Sequence, residues 1–416
     1  MEQIAKPHCG ARLDRLPDCR WHTSMFAMVA FGLLVCWSNA VGGLILAQLK
    51  ELGWTDNSTT ATFSAITTAG MFLGALGGGI IGDKTGRKNA FILYEAIHII
   101  SMIVGAFSPN MTFLIACRFV MGVGLGALLV TLFAGFTEYM PGRNRGTWSS
   151  RVSFIGNWSY PLCSLIAMGL TPLISAEWNW RVQLLIPAVL SLVATIIAWR
   201  SFPESPRWLE SRGRYAEAEK VMRAIEEGVV QQTGKPLPPV VFEDDGKAPR
   251  TVPYSALLTG VLLKRVILGS FVLIAMNVVQ YTLINWLPTI FMTQGINLKD
   301  SIVLNTMSMF GAPFGIFIAM LVMDKIPRKT MGVGLLVLIA VLGYIYSLQT
   351  SMLLITLIGF FLITFVYMYV CYASAVYVPE IWPTEAKLRG SGLANAVGRI
   401  SGIAAPYAVA VLLNGY

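Results

Sequence analysis

Four ionisable residues stand inside long apolar stretches, where a charge is costly and is therefore usually functional or paired. Glu95 and His98 are three residues apart, which places them on one face of a helix. Because histidine titrates near neutral pH, this pair and Arg118 are candidates for proton coupling. The alternatives are a mutual hydrogen bond that neutralises Glu95 and His98, and a structural role for Arg118 beside a carbonyl or Glu95.

Arg399 stands among small residues in the last apolar stretch. Its guanidinium is always charged, so it needs a protein carboxylate or an anionic ligand. No acidic residue lies between positions 395 and 403, and Glu380 and Glu385 fall outside the stretch. We therefore expect Arg399 to face a polar cavity and bind an anion, with a purely structural role as the alternative.

The elements that must position these residues follow from composition: 55% of the 416 residues are apolar and only 13% are charged. Apolar stretches long enough to cross a bilayer recur along the chain, and in lipid each must close its own backbone hydrogen bonds as a helix. We predict an all-α membrane protein. Its expected spans are 22–47, 60–82, 90–108, 111–136, 150–174, 181–202, 265–291, 301–323, 330–348, 352–376 and 390–414.

The distribution of positive charge predicts the topology. If segment 1–21 is cytoplasmic, all but five of the 31 Lys and Arg residues lie on the cytoplasmic side or in its loops. This asymmetry is what the positive-inside rule requires of a multi-pass protein of the inner (plasma) membrane. No basic patch belongs to a soluble fold, so we expect a lipid-bilayer environment and no nucleic-acid partner.

Enzyme chemistry has little support. The cysteines and histidines match no zinc spacing, and the sequence offers neither a nucleophile–base pair nor a nucleotide-binding loop. We expect no catalytic residue, no metal and no cofactor.

Two short motifs repeat at nearly the same interval. GDKTGRK at 82–88 returns as MDKIPRK at 323–329, and Glu138 and Glu380 head a second pair of similar segments. Such repetition indicates an internal duplication of six spans. We predict halves at 22–202 and 264–416, joined by a cytoplasmic linker with short helices at 203–263. The second half then has five spans, and we attribute the absence of a twelfth helix to truncation.

These motifs resemble those of the major facilitator superfamily, especially sugar-porter-like bacterial metabolite transporters. The loop 82–88 is similar to the signature between helices two and three, and Arg118 with Gly122, Gly124 and Gly126 resembles the fourth-helix motif. PESPRWL at 203–209 matches the phrase that closes the first half of sugar porters. The resemblance implies a major facilitator fold with two pseudo-symmetric six-helix halves. It also implies a monomeric secondary transporter that works by alternating access.

The resemblance further implies that charged residues at the cytoplasmic helix ends form gate ion pairs across the two halves. The alternative is surface charge that only satisfies topology. The gate candidates are Asp83, Arg87, Glu138, Arg145, Glu204, Arg207, Asp324, Arg328, Glu380 and Arg389.

Departures from the sugar-porter pattern argue against a hexose site. Ala275 and Met276 replace a paired glutamine in helix seven, and Ser38 replaces the helix-one aspartate of proton-coupled members. We therefore expect a small organic anion, such as a sugar acid or an aromatic acid, moved together with protons. A neutral sugar or polyol carrier is the alternative, and a non-transporting sensor is a further one. Besides Arg399, the expected substrate contacts are Asn39, Trp158, Asn277, Gln280, Tyr281, Trp286, Tyr369 and Tyr372.

Overall fold

The computed structural model describes residues 7–17, 19–141, 145–240, 253–323, 325–382 and 386–414. Within these ranges every regular element is helical, so the all-α prediction is confirmed. The first half contains α1 (Cys9–Asp14), α2 (Arg20–Val35), α3 (Gly42–Glu51), α4 (Asn57–Thr85), α5 (Arg87–Ala106), α6 (Met111–Tyr139), α7 (Arg145–Asn157), α8 (Ser159–Leu170) and α9 (Ala176–Ser201).

The linker forms two helices, α10 (Pro206–Ser211) and α11 (Tyr215–Thr233), where the sequence predicts short cytoplasmic ones. The short α12 (Tyr254–Leu257) precedes the second half. That half contains α13 (Gly260–Thr293), α14 (Leu298–Met309), α15 (Gly311–Val322), α16 (Arg328–Ser347), α17 (Met352–Cys371), a π-helical turn at Tyr372–Tyr377, α18 (Val378–Glu380) and α19 (Lys387–Asn414).

In the described part of the chain, nine helical segments are long and apolar enough to cross a membrane. Each of the eleven predicted spans falls on helix. Two of them, 22–47 and 150–174, are split into α2 with α3 and α7 with α8, and these pieces are not among the nine. A third, 301–323, is split into α14 and α15, which together count as one of the nine.

Proline accounts for two of the breaks. A proline removes the backbone donor to the residue four positions earlier, and its ring clashes with that carbonyl. Pro161 acts in this way on Asn157, where α7 ends, and Pro313 on Met309, where α14 ends. The break between α2 and α3 has no proline: Cys36 leaves the helix at ψ 50°, and residues 36–41 are non-helical.

Glycine explains the fourth-helix motif as a packing surface. A Cβ at Gly122 would overlap the Thr67 carbonyl, and a Cβ at Gly126 would overlap the Met71 carbonyl. Only residues without side chains allow α4 and α6 to approach this closely, which is how membrane helices gain contact in the absence of a hydrophobic drive.

The two halves meet through α4 with α19, α3 with α13, and α8 with α14. We call the end that carries the loops after α4 and α15, together with the linker helices, the motif end, and the opposite end the far end. At the far end Leu298 and Ile302 are buried in the core of the first half. The Asn305 amide also donates to Ser164 Oγ at 3.1 Å, so the far end is joined across the halves.

Candidate functional site

The break in the first span supports a fully buried polar cluster. Ser38 Oγ lies 2.6 Å from His98 Nε2, and His98 Nδ1 lies 3.5 Å from Glu95 Oε2. All three side chains are at most 1% exposed. Neither Glu95 oxygen has a hydrogen-bond partner among the described residues, and Cys36 is the neighbouring thiol. The predicted Glu95–His98 pair therefore exists, with Ser38 as a third member.

Arg118 holds the backbone of the same break. Its Nη1 donates to the Ser38 carbonyl at 2.7 Å and its Nε to Thr67 Oγ1 at 3.3 Å, while the guanidinium lies 4.6 Å from the Phe63 ring centre. The geometry agrees with the carbonyl-bound alternative for Arg118. Ser38 therefore contacts Arg118 through its carbonyl and His98 through its hydroxyl.

A second cluster brings together aromatic and amide groups of both halves. The rings of Tyr160 in α8 and Tyr367 in α17 meet edge to face at 5.5 Å between centres. The Tyr367 hydroxyl interacts with Tyr160 and with Gln280 of α13, but no described group satisfies it with a well-formed hydrogen bond. Tyr281 lies within electrostatic range of Tyr160, and its ring packs on Gly402 of α19.

Two members of this cluster were missed by sequence reasoning. Gln280 and Tyr281 were predicted as substrate contacts, whereas Tyr160 and Tyr367 were not. The available signal was spacing: Tyr160 is two residues after Trp158, and Tyr367 two before Tyr369. Residues two apart on a helix point in different directions, so Trp158 and Tyr369 do not join this cluster.

The other predicted contacts are dispersed. Asn277 donates to the Leu273 carbonyl of its own helix at 2.7 Å, and Trp286 is fully buried with Ala61 and Ala410. Trp158 is 36% exposed beside Phe310 at the junction of α7 and α8, and Asn39 is partly buried in the first-span break.

Tyr369 and Tyr372 turn away from the cluster. Tyr372 stacks on Tyr377 at 5.2 Å, and its hydroxyl donates to the Arg328 carbonyl at 2.9 Å, while the Tyr369 hydroxyl donates to the Val272 carbonyl at 3.3 Å. Both tyrosines brace helices near the motif end. The structure gives them packing partners rather than a place beside Gln280.

Arg399 lies midway along α19 and is partly exposed. Its neighbours Gly398 and Gly402 pack closely on Asn277 and Tyr281 of α13. No carboxylate of the described chain lies within ion-pair distance of Arg399, so the predicted isolation of this cation persists in three dimensions.

Four of the gate candidates form one network at the motif end. Arg87 donates to Asp83 Oδ1 at 2.7 Å and to Glu138 Oε1 at 2.7 and 3.0 Å. Glu204 Oε1 accepts the backbone N–H groups of Arg87 at 2.7 Å and Lys88 at 3.3 Å, which places its negative charge at the N-terminus of α5.

In the second half Arg328 forms a forked pair with Glu380, at 2.9 and 3.0 Å. Each of these pairs joins residues of one half, and Arg207 of the linker pairs with Asp14 of the N-terminal segment at 3.1 Å. The prediction that these pairs cross between the halves is therefore wrong for the described pairs, because none of these arginines reaches a carboxylate of the opposite half. Asp324 lies outside the described residues, and the side chains of Arg145 and Arg389 are not described.

Comparison with known proteins agrees with this architecture. A family model described as the Major Facilitator Superfamily matches residues 9–406. The chain belongs to the Major Facilitator Superfamily. It is 94% identical over 416 residues to the putative metabolite transport protein YdjK of Escherichia coli strain K12, covering all of this chain and 91% of that one. The inner membrane metabolite transport protein YdjE of the same strain is 43% identical over 98% of this chain and 90% of its own length.

Two further matches are named for the solute that they transport. The xylose transporter XylE from E. coli, in a partially occluded inward-open conformation, superposes with a TM-score of 0.72 at 17% identity, covering 94% of this chain and 92% of that one. The niacin transporter NiaP of Acinetobacter baylyi is 25% identical over 96% of this chain and 89% of its own length.

As a member of the Major Facilitator Superfamily, the protein is a multi-pass inner-membrane metabolite transporter. Its two buried clusters differ in composition. The cluster of the first half combines an acid, an imidazole and a hydroxyl. The other cluster, which both halves build, combines aromatic rings with an amide.

Proposed function

We propose that this transporter carries a small organic anion, of the aromatic or sugar-acid class, together with protons. The observation that carries the proposal is Arg399, a cation at mid-helix with no described carboxylate partner. A permanently charged group exposed to lipid at that depth is expensive, so its exposed part faces a water-filled cavity. A carboxylate arriving through that cavity would supply the missing counter-charge.

The neighbouring cluster favours a cargo with a ring and hydrogen-bonding groups. Tyr160, Tyr281 and Tyr367 offer aromatic surfaces, while Gln280 and the unsatisfied Tyr367 hydroxyl offer polar contacts. Niacin, named as the cargo of the relative NiaP, is an aromatic monocarboxylate. Nicotinate is therefore the first ligand to test.

The test compares Arg399→Ala, Arg399→Lys and an exposed control, Arg200→Ala, by calorimetry with nicotinate and related aromatic and sugar acids. Removing one partner of a desolvated charge pair costs about 2–5 kcal/mol, or roughly 30-fold to several-thousand-fold in affinity. We expect Arg399→Ala to lose binding, Arg399→Lys to recover part of it because the fork is absent, and Arg200→Ala to behave as wild type.

Normal binding of an organic acid by a folded Arg399→Ala protein would overturn the proposal. So would a screen in which only uncharged sugars or polyols bind. That second outcome would favour a neutral polyol carrier that uses the tyrosine and glutamine cluster.

Proton coupling is assigned to Glu95 and His98. A proton bound there changes the charge beside Ser38, whose carbonyl is held by Arg118, so protonation and the geometry of the first-span break are linked. Glu95→Gln should abolish uphill accumulation of the substrate in proteoliposomes while downhill exchange continues. The exposed Glu177→Gln should accumulate substrate normally, and normal accumulation by Glu95→Gln would return the pair to a structural role.

We also propose that the motif end is cytoplasmic. The 31 Lys and Arg residues of the chain are concentrated in the N-terminal segment, the loops at this end and the linker. Labelling of single exposed cysteines by a membrane-impermeant maleimide in intact cells tests this. Label reaching position 211 in the linker but not position 173 in the far-end loop would contradict the orientation.

A further inference from the structure

The far end contains a polar cavity of about 380 Å³ that the transport mechanism above does not use. Its walls come from both halves. Gln48 and Glu51 of the first span and Thr171 and Asn179 near the α8–α9 junction face Asn297 and Lys299 at the start of α14. Glu51 and Lys299 are exposed, so the cavity opens at the far end.

Gln48 is the unusual member of this wall. Its side chain is 0% exposed, yet neither the amide oxygen nor the amide nitrogen has a hydrogen-bond partner among the described residues. These atoms have almost no accessible surface, so a ligand in the cavity reaches them only when the Gln48 side chain turns towards it. Because an unpaired buried amide is destabilising, a ligand that satisfies both atoms would favour that turn. Asn179 differs, because it donates to Thr171 at 3.3 Å and accepts from Gln183 at 2.9 Å.

We propose that this cavity is a second binding site, for a small zwitterion that carries a carboxamide. A carboxamide presents a donor and an acceptor side by side, which is the complement of the free Gln48 amide. The Glu51 carboxylate and the Lys299 ammonium at the opening can pair with the ammonium and carboxylate of the same ligand. An organic acid without an amine would leave Glu51 unpaired and repelled.

The site has a conformational consequence. Its residues belong to both halves and are adjacent only while the far end is joined, as it is here through Asn305 and Ser164. A ligand that contacts both walls binds this conformation better than one in which the halves have separated. By linkage it shifts the population towards the conformation with the far end closed.

Free glutamine is the probe, since it combines a zwitterion with a carboxamide. Calorimetry on the purified full chain should show saturable glutamine binding. Glycine betaine, which lacks the amide, and propionamide, which lacks the charges, should each bind more weakly. Gln48→Leu should weaken glutamine binding about 10-fold or more because two hydrogen bonds are lost. The matched Gln349→Leu change, at the same end but outside the cavity, should leave it unchanged.

Two further variants separate loss of this site from misfolding and from glutamine binding at the central site. Lys299→Ala alters an exposed side chain and should weaken glutamine binding a few-fold without affecting folding. Arg399→Ala should bind glutamine normally, so failure of the organic-anion proposal and failure of this one are separable. Loss of glutamine binding in Arg399→Ala would place glutamine in the central site and overturn the inference.

Spin labels at exposed positions 173 and 352, at the far ends of the two halves, report the conformational effect. Glutamine should increase the short-distance population in wild type and leave Gln48→Leu unchanged. Absence of saturable binding, or equal binding by wild type and Gln48→Leu, would mean that only water satisfies Gln48, and would refute the site.

Discussion

The two copies of the duplicated loop build the same ion pair. Arg87 pairs with Glu138, and Arg328, which is 241 positions after Arg87, pairs with Glu380, which is 242 positions after Glu138. The repeat inferred from the sequence is therefore also a repeat of contacts. Each copy ties the first residue of a helix, α5 or α16, to a carboxylate of its own half: Glu138 in α6 for the first copy and Glu380 in α18 for the second.

The surroundings of the two pairs differ. The Arg87 and Glu138 side chains are 16% and 20% exposed, against 30% and 49% for Arg328 and Glu380. In the first half Asp83 and Glu204 join the network, and Trp208 Nε1 of the linker donates to the Asp83 carbonyl at 2.7 Å. The ion pair is the same in both copies, and the copies differ in burial and in contacts with the linker. We call the Arg87–Glu138 copy the braced copy and the Arg328–Glu380 copy the open copy.

One position in the repeat accounts for part of this difference. Gly86 has φ +97°, and a Cβ there would overlap the Glu204 carboxylate, whereas its counterpart Pro327 has φ −55° and directly precedes α16. Only glycine adopts the first conformation without strain, so Glu204 can approach the α5 N-terminus only because residue 86 has no side chain.

The largest effect is therefore expected from Gly86→Ala. Backbone strain together with displacement of Glu204 should lower stability by roughly 2–4 kcal/mol, measured as thermal unfolding in detergent. Gly79→Ala is the control, because no atom lies within 4 Å of its added Cβ. Pro327→Gly in the open copy should cost only about 0.4–1 kcal/mol through unfolded-state entropy. Equal stability of Gly86→Ala and wild type would contradict the role of Gly86.

The second prediction compares the arginines directly. Arg87→Gln leaves two carboxylates without a counter-charge in a half-buried network and should cost about 2–3 kcal/mol. Arg328→Gln breaks a more exposed pair and should cost about 1 kcal/mol or less. Thermal unfolding of both variants side by side measures the difference. If the two costs were equal, burial and linker contacts would not distinguish the copies.

The third prediction concerns function. Asp83 is 67% exposed, so its ion pair with Arg87 adds little stability, but its carbonyl and side chain join the α4–α5 loop to the linker and Arg87. Asp83→Asn should slow transport several-fold while substrate affinity changes no more than a few-fold. A large loss of affinity with normal exchange kinetics would remove Asp83 from the gating machinery.

Whether a structural feature could be predicted from the sequence depends on whether nearby or distant residues determine it. Span positions, the duplication and linker helix α11 follow from hydropathy and periodicity, which are local properties. The breaks at Asn157 and Met309 could have been located from Pro161 and Pro313. The break at Cys36 could not, because it is stabilised by Arg118 from a distant helix. The choice of Tyr367 over Tyr369 likewise needed the rotation of α17 against α8, and the partners of Gln280 lie on other helices.

The smallest effect is expected for the docking of α1 on the linker helices. This contact adds to the surroundings of the braced copy, and α1 has no described equivalent in the second half. Arg12 binds both Glu219 and Glu226, and Arg15 binds Glu226 at 2.6 Å, above a core that includes Leu13 and Met222. Burial alone would raise the pKa of Glu226, but the hydrogen bonds from Arg12 and Arg15 outweigh it, and the pKa lies below its ordinary value.

A lowered carboxylate pKa contributes stability that is fully present above the unfolded-state pKa, about 4.3 for glutamate, and is lost as pH falls through the folded-state value. Docking of α1 should therefore be constant near neutral pH and weaken only in acid. Hydrogen exchange at residues 9–14, corrected for intrinsic rates, measures it. Glu226→Gln should raise exchange at neutral pH by an amount equivalent to about 1 kcal/mol and flatten the acid response. The adjacent exposed Glu227→Gln should do neither, and an unchanged acid response in Glu226→Gln would show that the apolar core alone holds α1.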